Sequence, residues 1–421
     1  MLQTIYDLWN ENHLRLIRIN DDVLIVPMRI LHVHEADRVF YIHERREVLM
    51  NTRFTTKSLG VAVVLGAFSI GATAHAGGHG ITPQEKKLIP GAKAEGSVTL
   101  INPLFSDRTS KRIGAAFKKK YGLGDGFKVN MLRKGTGATV AQVRQEIKAG
   151  KFTVDAILVS APPFFDAGAK RGAFLELDSA HWKDSAGLAK AAGQYSKYPY
   201  VVTPLAYTFQ PVWNKTCPGM ANFDVKSYAD TTKAMLKGKT ISSDITKSFT
   251  YSNTVVALEK AGAVDFKKFW AEKKKTDPLV EFRTEPKIQM VISCQRPFDM
   301  WNLSGRVYQN VIKQPALKDK LVIGSYKEGQ VMLGNQIAVL KGAKNPNAGK
   351  LLVEFLLTKE GSDLFVEGEA IYSFRKGYKA PAAAAPYLMD LSKHKLIGLD
   401  DWVGAAKSFK SVRAEWAKNY R

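Results

Sequence analysis

The chain lacks the residue patterns that hydrolytic, metal-dependent and dithiol enzymes are built on. It has no G-x-S-x-G, no H-E-x-x-H and no C-x-x-C, which leaves out a nucleophile elbow, a zincin helix and a dithiol redox pair. Beyond residue 76 the histidines His79, His181 and His394 stand isolated, and neither of the two cysteines, Cys217 and Cys294, has a histidine beside it. The carboxylate pairs Glu281/Glu285 and Asp400/Asp401 fall on polar stretches. An enzyme of this length would need a nucleophile–base set, and none is visible. Acidic residues are scarce as well: 39 Asp+Glu stand against 62 Lys+Arg, a formal charge of +23. The uncharged apolar run Leu59–Ile70 is about a dozen residues, short of the roughly 20 that cross a membrane.

That short run is the center of a secretory signal beginning at Met50. Arg53 and Lys57 form its basic start, the apolar run follows, and Ala74-His75-Ala76 supplies small residues at the cleavage positions. Gly77-Gly78-His79-Gly80 would be a flexible new terminus. Residues 50–76 are therefore expected to be removed, and the mature protein to lie in the periplasm. Two readings of residues 1–49 compete: a wrongly chosen initiator upstream of Met50, or a cytoplasmic extension. Basic and acidic residues balance over residues 1–76, so the mature chain keeps the whole excess of +23. Such a charge suits nucleic acid, an anionic surface or an anionic small ligand. Export argues against nucleic acid, and the runs Lys118–Lys120 and Lys273–Lys275 read as solvated helix faces without interleaved aromatics. The oxidizing compartment permits a Cys217–Cys294 disulfide; the alternative is two small buried hydrophobes.

From Gly96 the chain alternates strand and helix, the pattern of a parallel sheet with crossover helices. Ser97–Asn102 reads as a strand, and Thr109–Tyr121 as a helix with Ile113, Phe117 and Tyr121 on one face. Phe127–Leu132 is a second strand, Gly135-Thr136-Gly137 opens a helix, and Asp155–Ser160 is a buried strand stopped by Pro162-Pro163. Tyr200–Trp213, interrupted by Pro204 and Pro211, suits a strand that crosses between lobes. A second αβ series follows: Ser227–Lys237, a Thr240–Asp244 strand, helices over Ser252–Ala261, Asp265–Lys275 and Pro286–Ile292, and a Pro297–Trp301 strand. Leu321–Ser325 and Gln336–Leu340 read as returning strands. Asn347–Leu357 is an amphipathic helix with Gly361 expected at its C′ position. Ala380–Pro386 is a connector, and Asp400–Tyr420 is expected to dock through Trp402, Phe409, Val412 and Trp416.

The secretory signal, the EGSVTLINP segment and the stretch NQIAVLKGAKNPNAGKLLVEFLLTKEGSDLF at 335–365 together resemble the bacterial periplasmic solute-binding proteins of family 1. These serve iron(III), polyamine, thiamine and phosphonate ABC importers. The resemblance covers about Gly96 to Gly377. It implies an α/β fold of two lobes, each a mostly parallel sheet flanked by helices, with crossing strands between them and the ligand in the interlobe cleft. Residues 96–205 and 335–378 are assigned to the first lobe, 206–334 to the second, and 379–421 to a C-terminal helical extension. It further implies a small-molecule ligand, a membrane permease and an ATPase as partners, and no cofactor; the protein is expected to act as a monomer.

Ligands of such folds collect at the carboxyl ends of strands, where helix N-termini favor anionic atoms. The candidate ligand-binding residues in these loops and on the crossing strand are Asn102, Phe105, Thr136, Gly137, Ser160, Tyr207, Ser248, Thr250, Trp301, Asn302 and Arg306. The loop Ser243–Thr254 resembles the family's D-P-x-x-S-G-T ligand loop, with Ile245 and Phe249 where Pro and Gly are usual. Ferric members of the family carry adjacent tyrosines shortly after the strand that ends here at Trp301. This chain has Asn302-Leu303-Ser304-Gly305-Arg306 and only Tyr308 nearby, so no metal site is assigned. Arg306 beside an aromatic fits a carboxylate or phosphate; the competing reading makes Trp301 core and Arg306 a solvated helix residue. The leading function is capture of a small anionic or metal-associated solute for an ABC importer. The alternatives are a ferric-ion-binding member of the same family and an exported enzyme of unknown reaction. N-terminal sequencing of periplasmic protein is expected to return Gly77 as the first residue; a chain starting before Met50 would contradict the cleaved signal.

Overall fold

A computed structural model of the chain describes residues 80–420 and two strands near the start. Those strands, Leu14–Ile19 and Asp22–Pro27, pair antiparallel as a hairpin and belong to a unit of their own, separate from the unit that begins at Ala74. The signal segment 50–76 and the rest of residues 1–49 lie outside the described residues.

The main unit contains two mixed sheets. The first has the order Tyr372–Ser373, Val202–Tyr207, Leu333–Val339, Ala156–Val159, Ser97–Asn102, Lys128–Arg133. Ser97–Asn102 runs parallel to both of its neighbors, while Leu333–Val339 is antiparallel to both of its own. The second has the order Leu321–Ile323, Gln210–Asn214, Phe298–Asn302, Thr240–Ser242, Leu279–Val280. The central strands Ala156–Val159 and Phe298–Asn302 are buried at every position, as expected for strands covered by helices on both faces. The chain passes from one sheet to the other between Tyr207 and Gln210, and returns between Ile323 and Leu333.

Local chemistry explains the element ends. Ser106 caps the helix Asp107–Tyr121, which buries Ile113, Phe117 and Tyr121 and ends at Gly122 in the left-handed region. The Phe117 ring lies 5.4, 6.0 and 5.7 Å from those of Tyr121, Phe127 and Phe355, tying this helix to the long C-terminal-half helix Pro346–Leu357. Asp155 accepts from the Thr99 and Asn345 amides at 2.8 and 2.9 Å, locking the turn before that helix to the central strand.

Two expectations are corrected. Pro162-Pro163 ends the Ala156–Val159 strand but also opens a helix, Pro162–Lys170, because proline at the first helical position loses no hydrogen bond. Gly361 is not a C′ residue: the helix stops at Leu357, and Thr358 caps a new one, Lys359–Glu369, by accepting from the Gly361 amide at 3.1 Å. A Cβ on Gly361 would stand 2.1 Å from the Phe355 carbonyl, so glycine lets the second helix abut the first. Ser227–Lys237 forms two short 3-10 turns. The helices Pro83–Glu95, Lys183–Ala191 and Ser304–Lys313 lay outside the sequence reading. The first of them is announced by a Thr82/Glu85 capping box with Pro83 following the cap.

Cys217 and Cys294 form a disulfide in the second lobe, with Cα atoms 5.5 Å apart. The C-terminal segment straps the lobes together. Leu396–Ile397 pairs with Gln330–Val331 on the return crossing, Trp402 donates to the Gly193 carbonyl at 2.5 Å, and Phe409–Tyr420 packs on the helices Phe249–Lys260 and Phe266–Lys274. Trp402, Phe409, Val412 and Trp416 are all buried.

A buried polar cluster joins Pro83–Glu95 to Pro346–Leu357. Glu85 accepts from Tyr121 at 2.5 Å and lies 3.3 Å from His181 Nε2, while Glu354 sits close by in the same interior. Burial pushes the Glu354 carboxyl up to about 7, whereas hydrogen bonds outweigh burial at Glu85 and hold it at about 2. Between pH 4.5 and 7 the unfolded chain releases the Glu354 proton while the folded chain keeps it, so this group lowers stability as pH rises through that window; the Glu85 contribution is lost only below about pH 4.5. Thermal melts at pH 5 and pH 8 are expected to show a smaller loss on going to pH 8 for Glu354→Gln than for the parent protein. Identical pH dependence in the two would contradict this assignment.

Candidate ligand-binding site

Between the two sheets lies a cavity of about 630 Å3 lined from both lobes. Its position follows from topology: the strands Lys128–Arg133 and Phe298–Asn302 end here, and the loops after them start helices. Thr136–Ala149 begins at the cavity with Gly135 as its cap and no side-chain cap bond. Thr284–Ile292 and Ser304–Lys313 likewise begin without a side-chain cap, after Arg283 and Leu303. Phe249–Lys260 begins with Ser248, whose hydroxyl accepts from the Tyr251 amide at 3.3 Å. Helix starts from both lobes therefore aim their free N–H groups and positive dipole ends at one space.

Side chains add to the same sign. Arg133, Lys134, Lys247, Arg283 and Arg306 line the cavity, against Glu285. Arg283 is held by Glu281 at 3.0 Å and is partly neutralized. Arg306 is buried; its Nε donates to Thr284 Oγ1 at 3.2 Å, its Nη1 to Gln309 at 2.6 Å, and Glu285 stands 3.8 Å away. Burial and the like charge of Arg133 both depress the Arg306 pKa, so the guanidinium lies in a field that an anion would relieve. Tyr207, Phe209 and Tyr251 form one aromatic wall, with ring centers 5.5 Å apart for the first two and 4.3 Å for the last two. Burial raises the pKa of both Tyr207 and Tyr251, which keeps these phenols protonated.

Of the sequence candidates, Thr136, Gly137, Tyr207, Ser248, Thr250 and Arg306 line this cavity. The others lie behind it. Asn102 turns its Oδ1 back onto the amides of Leu104 and Phe105 at 3.0 and 2.7 Å, and so shapes the loop rather than its surface. Phe105 stacks on Phe365 in the first lobe's core, and Ser160 is buried at the end of its strand. Asn302 bonds Asp299 and the Thr284 carbonyl, fixing the loop from which Thr284 and Glu285 reach the cavity. Trp301 is fully buried, stacked behind Tyr251 at 5.8 Å and donating to the Tyr228 hydroxyl at 3.0 Å. Beneath them Lys287 and Asp299 form a fully buried ion pair at 3.0 Å, and Lys287 also donates to Ser243 and to the Trp301 carbonyl.

The Ile245 and Phe249 departures have a structural place. Ile245 is buried core, and Phe249 packs edge-on against Phe409 of the C-terminal strap at 4.8 Å while lining the cavity. The loop still delivers a capped helix start. The cations Arg133, Lys134, Lys247 and Arg283 escaped the sequence reading; their signal was placement at strand ends and helix starts, where a basic residue reads equally well as solvated surface. Among the described residues, no group of three or more His, Cys, Asp or Glu is placed to hold a metal ion.

The model of the bacterial extracellular solute-binding proteins matches residues 112–390, well over half of the chain. The chain belongs to that family. The family acts outside the cytoplasm. Solved structures agree on the fold of this solute-binding protein. A substrate-binding protein of an ABC transporter from Agrobacterium tumefaciens superposes with a TM-score of 0.63 at 15% identity, over 77% of this chain and 94% of that one. The periplasmic binding protein AfuA from Actinobacillus pleuropneumoniae, with exogenous fructose-6-phosphate bound, gives 0.62 at 17%, over 77% and 98%. Apo ferric ion-binding protein A from Pasteurella haemolytica gives 0.59 at 15%, over 77% and 98%. A comparison with curated proteins finds no match. Mixed α/β lobes around a cleft are thus the architecture of the protein and of its neighbors alike.

Trp301→Ala is expected to lower stability by about 3–5 kcal/mol, as for a large aromatic removed from a packed core. Denaturant unfolding measures that loss. A small stability change together with a large loss of ligand affinity would instead place Trp301 on the ligand.

Proposed function

We propose that this protein captures a small anionic organic solute in the periplasm and delivers it to the permease and ATPase of an ABC importer. The observation that carries this reading is the convergence of helix N-termini from both lobes with Arg133, Lys134, Lys247 and Arg306 on one interlobe cavity. Fixed dipoles and cations of one sign favor an anion, and the aromatic wall favors an organic body over a bare ion. Capture would close the lobes about the two crossings, the hinge motion available to a chain whose sheets are joined by short connections. The sugar phosphate in the AfuA structure is compatible with this chemistry.

A second reading takes its support from the structural neighbors described as ferric ion-binding or ferric iron-binding proteins. Two features weigh against it. The tyrosine pair is absent after Trp301, and the cleft phenols Tyr207 and Tyr251 are held protonated by burial, which weakens them as ligands to ferric ion. Ferric citrate is accordingly expected to produce no phenolate-to-iron charge-transfer band in the visible spectrum. A strong band at one-to-one stoichiometry would overturn the anionic-solute reading in favor of iron.

A further inference from the structure

The cleft opens beside a second cavity of about 390 Å3, and the two share Arg133, Glu285 and Arg306 as walls. The remaining cations of this annex are Arg108 and Arg112 from the first lobe's Asp107–Tyr121 helix and Lys313 from the last turn of Ser304–Lys313 in the second. Three carboxylates stand among them. Glu367 is taken by Arg112 at 2.8 Å, Glu285 lies 3.8 Å from Arg306, and Asp107 occupies the first turn of its helix, where the dipole favors it. The side chains of Arg108, Arg133 and Lys313 make no ion pair or hydrogen bond among the described residues. The annex is therefore a recess with an excess of unneutralized cations contributed by both lobes.

Arg306 is the partition between the two spaces. It is 5% exposed, with Nε bonded to Thr284 and Nη1 to Gln309, and it lines both spaces. Arg133 and Arg306 bring two like charges from opposite lobes to the same boundary, with Glu285 as the nearby carboxylate. The missing component at that boundary is negative.

We propose that cleft and annex form one bipartite site for an elongated organic solute carrying an anionic group at each end. One end lies at the uncapped start of Thr136–Ala149 near Lys134 and Lys247; the other enters the annex toward Arg108, Arg133 and Lys313, with Arg306 donating between them. The body of the solute lies along the Tyr207–Phe209 wall. This rests on the anionic-solute reading and adds a substrate class to it: two anionic groups held apart, rather than one. It also gives Arg108, an exposed residue in the first turn of its helix, a role in specificity.

The test uses three open-chain six-carbon probes: gluconate, sorbitol 6-phosphate and 6-phosphogluconate, which are anionic at one end, at the other, and at both. Calorimetric titration of the mature protein is expected to show 6-phosphogluconate binding at least about tenfold more tightly than either single-ended probe, the gain expected from an added set of charge-assisted bonds. Arg108→Gln should remove most of that advantage, so that 6-phosphogluconate approaches the tighter single-ended probe, and its melting curve should match the parent's because Arg108 is exposed. Equal affinity for one- and two-ended probes, or no effect of Arg108→Gln on 6-phosphogluconate, would overturn the annex while leaving the anionic cleft standing. Failure of all three probes to bind at millimolar concentration would contradict the anionic cleft itself.

Discussion

The structure depends on the way one chain completes two sheets. Val202–Tyr207 belongs to the first sheet and Gln210–Asn214 to the second, with only Thr208 and Phe209 between them. Both strands are buried throughout, so neither lobe can form its core without the crossing. The return path from Leu321–Ile323 to Leu333–Val339 imposes the same constraint a second time. Parallel strands on either side then end toward a common space, and the helices Thr136–Ala149, Phe249–Lys260, Thr284–Ile292 and Ser304–Lys313 start there. The cavity between the lobes is a consequence of this connectivity, and its electrostatic sign follows from backbone geometry before any side chain is considered.

Side chains set how strong that sign is. The second lobe supports its cleft wall on a fully buried Lys287–Asp299 pair, which also holds Ser243 and the Trp301 carbonyl. Breaking one partner of such a pair leaves an unmatched buried charge, so the pair fixes the geometry of the strand end above it more than it adds net stability. Arg306 differs: its partners Thr284 and Gln309 are uncharged, the Glu285 carboxylate stands 3.8 Å away, and it lies against the cavity instead of beneath it. The C-terminal strap adds a further constraint, since Phe409 packs on Phe249 and Arg413 donates to Ser252 at 2.8 Å, both on the helix that carries the Ser248–Thr250 loop.

Much of the architecture was legible because it rests on periodicity and punctuation. Ile113, Phe117 and Tyr121 mark a helix face, Ala156–Val159 reads as a doubly buried strand, and the 335–365 stretch carries a family pattern. Gly361 misled because a glycine after an apolar helix usually marks C′. Here Thr358 had already started a new helix, and the glycine serves close approach to Phe355. At the site, Thr136, Gly137, Ser248 and Thr250 were readable as loop residues at helix starts. Trp301 and Asn302 sit at a strand end too, yet their side chains turn inward, one toward Tyr228 and the other toward Asp299. Which way a strand-end side chain points depends on the partner waiting behind it, and that partner lies 73 residues away for Trp301.

The central claim is that the interlobe cleft selects for negative charge. Affinity capture speaks to it without presupposing a ligand: immobilized protein is incubated with a small-molecule extract, washed, denatured and analyzed for released solutes by mass spectrometry in both ion modes. An anion-selective cleft retains an organic anion, released in stoichiometric amount and lost with Arg306→Gln. Stoichiometric retention of a neutral or cationic solute, such as a polyamine, would contradict it.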